Sequence, residues 1–120
     1  MGHMNTQFYA SLYDGASFHF LSMLAPYNAL KESGLGWADV RQTIEYKHEV
    51  RMGALLVVKT RLKRLGNKSV EYRHEVLDAE TGDLHSTSEQ VTVLFDLNRR
   101  AAVPLTDVIR TRGAALGLQD

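Results

Sequence analysis

GHMNTQFYASLYDGASFHFLSMLAP, residues 2–26, is the stretch that decides the fold. Its apolar residues are Phe8, Tyr9, Leu12, Tyr13, Ala16, Phe20, Leu21 and Leu24, and steps of three and four dominate. That is helical periodicity. Asn5 is a good N-cap and Pro26 a good stop, so the spacing predicts one long helix from Asn5 to about Ala25. An aromatic residue or Leu falls on almost every turn, which predicts a helix buried on most sides. Gly15 inside it costs about 1 kcal/mol relative to Ala, and points to close approach of another element. Just before the helix, Gly2-His3-Met4-Asn5 groups a turn residue, an imidazole and an amide. A helix N-terminus gathers free N–H groups and partial positive charge. It can therefore polarise a carbonyl or hold an anion.

Working outward, Pro26, Asn28, Gly34 and Gly36 read as a loop with one short helical turn. Strand patterns then follow over 37–50, 55–65, 69–77 and 85–97. In the third, Val70, Tyr72, His74 and Val76 share one face. In the fourth, Val91, Val93 and Phe95 do. Gly66-Asn67, Thr81-Gly82-Asp83 and Asn98-Arg99-Arg100 are the turns between and after them. Pro104 opens a segment to about Leu116 that reads as a short terminal helix. The order predicts an α+β fold, with a long helix followed by an antiparallel meander whose apolar face wraps the helix.

The 120 residues fit a single domain, 1–120, and 44% are hydrophobic, enough for a core. The 14 basic and 14 acidic residues balance, so nothing favours a nucleic-acid backbone as partner. The absence of cysteine removes disulfides, thiolate metal sites and cysteine nucleophiles, and fits a reducing, cytoplasmic setting. No apolar run approaches the ~20 residues of a membrane span, and no signal peptide is visible. The five histidines show no metal-ligand spacing, so no metal or other cofactor is expected. The abrupt start leaves two readings open. Either sequence normally lies upstream, or Met1 to His3 is a cloning remnant.

The pattern resembles the hot-dog fold, and within it the 4-hydroxybenzoyl-CoA-type acyl-CoA thioesterases. Gly2-His3-Met4-Asn5 followed by Tyr9 resembles that family's helix-start motif. Ile44-Glu45-Tyr46, Val50 and Gly53 resemble its second strand and following turn. Arg64-Leu65-Gly66-Asn67-Lys68-Ser69 resembles its hairpin. Val91 to Asp96 resembles its last strand, and Arg99, Arg100, Ala101 and Pro104 its exit. Two departures stand out. The acid that family members carry shortly before the Gly-His turn is absent, as is the first strand on which it lies. Gly53-Ala54 replaces a common Gly-Asp.

The resemblance implies an acyl-CoA thioesterase acting as a homodimer or homotetramer. The helix start would receive the thioester oxygen, with the acyl group lying along the helix between subunits. His3 and Asn5 would orient water or carbonyl, and His3 can act as base near neutral pH. Asp14, the acid of the long helix, is the substitute for the missing carboxylate. Gly2 and Tyr9 are the binding residues beside it. Arg64, Lys68 and Ser69, in a basic edge that includes Arg61 and Lys63, are candidates for the CoA phosphates and pantetheine. Glu49 is a weaker candidate acid. His19 and His74 read as core or interface. Two other readings remain: an acyl-CoA-binding module (or truncated enzyme) without turnover, and a hot-dog hydratase or dehydratase.

Overall fold

A computed structural model describes residues 6–51 and 53–117. The elements are α1 (Thr6–Leu24), α2 (Tyr27–Glu32), β1 (Leu35–Tyr46), β2 (Leu56–Leu65), β3 (Ser69–Asp78), β4 (Leu84–Asp96), β5 (Ala101–Ala102) and α3 (Asp107–Ala115). Gly2, His3, Met4 and the expected N-cap Asn5 lie outside the described residues. The long helix, the short helical turn, the four main strands and the terminal helix fall close to where the sequence pattern predicts them, except that the strand expected over 37–50 ends at Tyr46. No helix among the described residues is long and apolar enough to cross a membrane.

The strands form one antiparallel sheet in the order β1-β4-β3-β2, with β5 paired to β4. This is the hot-dog arrangement, but it corrects the expected meander of four. Only β2, β3 and β4 run as neighbours in sequence order. β1 pairs instead with β4, setting Trp37 opposite Leu94, Asp39 opposite Thr92 and Gln42 opposite Gln90. The cause lies in the connection 47–55. Lys47 N–H donates to His85 O at 2.8 Å as the chain leaves β1, and Ala79 N–H donates to Leu55 O at 2.8 Å as it reaches the far edge. Between them Val50 is buried against Tyr9, Tyr13 and Val76. The connection thus crosses the sheet end beneath the start of α1, and β1 and β2 become opposite edges.

The core has two parts. Near the end of α1, Phe20, Leu21 and Leu24 pack with Leu62, Val70, Tyr72, Leu94, Leu105 and Ile109. Near its start, Tyr9 and Tyr13 pack with Val50 and Val76. α3 closes the first part. Thr106 caps it by accepting from Ile109 N–H, and Arg110 Nη2 donates to Gly66 O at 2.8 Å. Gly113 lets α3 come close to β2: a Cβ there would stand 2.7 Å from Leu65 Cδ1, so the Leu65 side chain would have to shift.

Three expectations about burial are corrected. α1 is covered on one side only: Asp14, Gly15, Phe18, His19 and Met23 are exposed, because a single sheet can cover one helix face. A Cβ on Gly15 would meet nothing within 4 Å, so no element approaches it, and His19 is not in the core. Finally, Val91, Val93 and Phe95 point away from α1 and are half-buried, whereas Ser86, Ser88, Gln90 and Thr92 face the helix and are buried. The helix-facing side of β4 is therefore polar from Ser86 to Thr92 and apolar only at Leu94.

Candidate functional site

That polar stripe is satisfied almost entirely by residues of other elements, as buried polar groups require. The Tyr13 hydroxyl of α1 donates to Ser86 Oγ at 2.7 Å, and Ser86 Oγ donates to Glu45 O at 2.9 Å. Tyr72 donates to Gln90 Oε1 at 3.2 Å and lies 3.0 Å from Thr92 Oγ1. Thr92 in turn donates to Asp39 Oδ1 at 2.9 Å. Beside this chain His74 is bracketed by two hydroxyls, with Ser17 Oγ 2.8 Å from Nε2 and Thr60 Oγ1 2.7 Å from Nδ1. A neutral imidazole offers one donor and one acceptor, which suits two hydroxyls. Burial pushes its pKa down to about 4. Burial likewise drives the Tyr13 phenol up to about 12, against the Ser86 hydrogen bond. Neither group is poised for proton transfer near neutral pH, and both hold the helix on the sheet.

The predicted site residues separate into two ends. Tyr9 is buried at the start of α1, its ring 5.1 Å from that of Tyr46 and 6.1 Å from that of Tyr13. Gly2, His3 and Asn5 precede α1 in the sequence and lie outside the described residues. Arg64, Lys68 and Ser69 lie at the other end, on the β2–β3 hairpin. The run of β3 from Ser69 to Val76 alone spans roughly 23 Å. Within one protomer the structure does not bring the hairpin to the helix start. The basic edge is also partly neutralised: Lys63 Nζ is 3.0 Å from Glu89 and Arg64 Nη1 is 3.4 Å from Glu71.

Two cavities stand out, and of these only the smaller has α1 in its wall. The larger, about 710 Å³, opens at the same sheet end as the helix start and is lined by His48, Glu49, Arg51, Asp78 and His85 among others. His85 is buried there. Its Nε2 has no hydrogen-bond partner and stands 3.7 Å from Asp78 Oδ2. Backbone N–H groups of Thr81 and Glu80 hold the Asp78 carboxyl below its ordinary range. Among the described residues no group of three His, Cys, Asp or Glu is placed to hold a metal ion. The second cavity, about 410 Å³, lies between α1, α2 and β1, and Asp14 lines it. Sequence reading missed its other polar and aromatic walls, Phe18, Tyr27, Trp37 and Asp39. They come from separate elements, and only the β1–β4 register turns Trp37 and Asp39 toward α1.

A helix laid on a curved antiparallel sheet, with its N-terminus at an open sheet end, defines the class of protein. Residues 1–113 match the thioesterase-like superfamily, and the chain belongs to that family. It is similar to the L-carnitine dehydrogenase/betainyl-CoA thioesterase of Rhizobium meliloti (strain 1021), at 26% identity over 103 residues. That match covers 86% of this chain and 21% of the relative, so the chain spans about a fifth of that protein's length. Among solved structures, a Staphylococcus aureus protein in complex with CoA superposes with a TM-score of 0.90 at 16% identity, covering 97% of this chain and 73% of that one. A 1,4-dihydroxy-2-naphthoyl-CoA thioesterase from Synechocystis gives a TM-score of 0.83 at 18% identity, covering 98% and 88%. At such identities these structures share the fold.

Proposed function

We propose that this protein hydrolyses an acyl-CoA thioester to a carboxylate and free CoA, with water activated at the start of α1. The observation that carries the reading is the family match over residues 1–113, which includes Gly2-His3-Met4-Asn5 directly before α1. In this reading the helix start polarises the thioester carbonyl, because free N–H groups and the helix dipole favour the developing negative charge. His3 and Asn5 orient the water, and Asp14 is the carboxylate available along the helix. Gly2 and Tyr9 shape the binding end.

CoA would reach the hairpin residues Arg64, Lys68 and Ser69 of a second protomer, since those of the same protomer lie at the far end of the sheet. A homodimer or homotetramer in the cytoplasm belongs to the same reading. Among the described residues, β1 pairs only with β4 and β2 only with β3, so both outer strands have edges to protect.

The test is a thiol-release assay over short, long, aromatic and cationic acyl-CoAs, with betainyl-CoA first because the rhizobial relative is named for it. Turnover that is lost in His3→Ala or Asp14→Ala supports the reading. A folded protein that releases no thiol from any member refutes it. It would then favour an acyl-CoA-binding module, a reading that the exposed position of Asp14 also favours.

A further inference from the structure

The connection 47–55 is anchored on both sides of one exposed acid. On the first side stands the buried His85, whose carbonyl accepts from Lys47 N–H at 2.8 Å and from His48 N–H at 3.3 Å. Its Nδ1 lies 3.3 Å from His48 O, and a carbonyl only accepts, so that nitrogen carries a proton and donates it. On the other side Val50 and Ala54 pack into the cluster around Tyr9 and Tyr13. Ala54 N–H also closes a turn onto Arg51 O at 3.1 Å. Between these anchors Glu49 is exposed and lines the cavity of about 710 Å³. Its Cα is one residue, about 3.8 Å, from that of Val50, and Val50 is packed with Tyr9 in the first turn of α1. A carboxylate on a fixed backbone beside the helix start suits one task in thioester hydrolysis, removal of a proton from water.

The other carboxylates suit that task less well. Asp14 is eight residues beyond Thr6, about 12 Å along the helix axis, and lines the other cavity. Glu45 pairs with Lys47 at 2.9 Å, and this partner holds its carboxyl below the ordinary range. The N–H groups of Thr81 and Glu80 do the same to Asp78. A carboxyl held low is a weaker base. Glu80 and Asp83 belong to the turn between β3 and β4, and no residue of that turn joins the cluster around Tyr9 and Tyr13.

We propose that Glu49 is the general base of the hydrolysis, taking a proton from the attacking water in the cavity at the sheet end where α1 starts. This rests on the thioesterase reading and names the group that activates its water. As the water oxygen bonds to the thioester carbon, one of its protons passes to a Glu49 carboxylate oxygen. The tetrahedral intermediate then collapses and the C–S bond breaks. The CoA sulfur leaves with the electron pair and takes the proton back from Glu49. A carboxylic acid and the free CoA thiol remain, and Glu49 is a carboxylate again. His85 and Val50 act through Glu49 and are positioning residues.

The test measures kcat and KM by thiol release for the full-length wild type and for Glu49→Gln, Glu49→Asp and Glu80→Gln. The substrate is the acyl-CoA of the panel that the wild type turns over fastest. Glu49→Gln changes an exposed side chain, so its urea midpoint should stay close to that of the wild type. Its kcat should fall at least about 100-fold, with KM within about threefold. Glu49→Asp keeps a carboxylate and should retain at least about tenfold more kcat than Glu49→Gln. Glu80→Gln, in the wall of the same cavity, should stay within about threefold of the wild type.

A kcat for Glu49→Gln within about tenfold of the wild type would overturn the assignment of Glu49 and leave the thioesterase reading standing. Equal losses in Glu49→Gln and Glu80→Gln would do the same. A folded wild type that releases no thiol from any acyl-CoA would overturn the thioesterase reading, and the role of Glu49 with it.

Discussion

Acid should destabilise this protein well above the pH at which carboxylates titrate, and His74 is the cause. Its ring is fully buried, stacked on Tyr13 at 5.6 Å and edge-on to Tyr72 at 5.3 Å. Its polar neighbours are the Ser17 hydroxyl from α1, Thr60 from β2 and, opposite it on β4, Ser88. Among the described residues no carboxylate is in hydrogen-bond contact with the ring to compensate a positive charge. Burial lowers its pKa from the ordinary 6.5 to about 4. The unfolded chain therefore takes up this proton before the folded one does. Stability from the neutral imidazole is complete above pH 6.5 and is lost as pH falls from there through about 4. The gap corresponds to about 3 kcal/mol, at up to about 1.4 kcal/mol per pH unit. Against a typical total of about 5–15 kcal/mol, that is a large share.

Urea unfolding at pH 7.0, 6.5, 6.0, 5.5 and 5.0, at one protein concentration, measures the effect on the wild type and on His74→Gln. Glutamine cannot take up the proton but can still bond a hydroxyl. The variant should lose about 1–3 kcal/mol at pH 7, yet its stability should be nearly flat down to pH 5. The lowered carboxyls of Asp78, Glu89 and Asp96 lose their contribution in the same direction. Their window begins lower, because their ordinary values are 3.8 and 4.5. The interval above pH 5 thus isolates the imidazole. An equal slope in wild type and variant would refute the reasoning.

Two further substitutions probe the architecture. Ile109→Ala, at a fully buried position where α3 closes the core, should cost about 2–5 kcal/mol in the same assay. A loss under about 1 kcal/mol would mean that α3 is not docked as described. Gly34→Ala strains a backbone at φ +73° and sets a Cβ 2.8 Å from Asn98 Nδ2. It should lower stability by about 1 kcal/mol or more, and thermal melting of this variant beside Gly34→Asn, which tolerates that backbone better, separates strain from crowding.

The local elements were legible because each is written in its own stretch. α1 is written in spacings of three and four closed by Pro26, and β3 in the alternation from Val70 to Val76. What the sequence could not convey is what each stretch meets. β4 has two alternating sets, and the apolar one, Val91, Val93 and Phe95, reads as the natural inner face. The structure turns Ser86, Ser88, Gln90 and Thr92 inward instead. Tyr13, Tyr72, Gln42 and Asp39, all distant in sequence, complete them. The cavity between α1, α2 and β1 was hidden for the same reason: Asp14 was legible as the one acid of its helix, but Asp39 meets it only after β1 has paired with β4 rather than β2.

A polar inner face changes how α1 is held. An apolar helix on an apolar sheet can slide or rotate at little cost, because dispersion contacts are interchangeable. Hydrogen bonds buried at Tyr13–Ser86 and Ser17–His74 cannot be exchanged for water, so each alternative register leaves a donor or acceptor unpaired. The two bonds are four residues apart on the helix, one turn, and fix both its rotation and its height over the sheet. Asp14 and Phe18 line the cavity between α1, α2 and β1, so the same bonds set where that helix face meets Trp37 and Asp39 of β1. The buried network, which includes Ser17 and Asp39 of the cavity wall, thus holds the two walls of that cavity in one geometry.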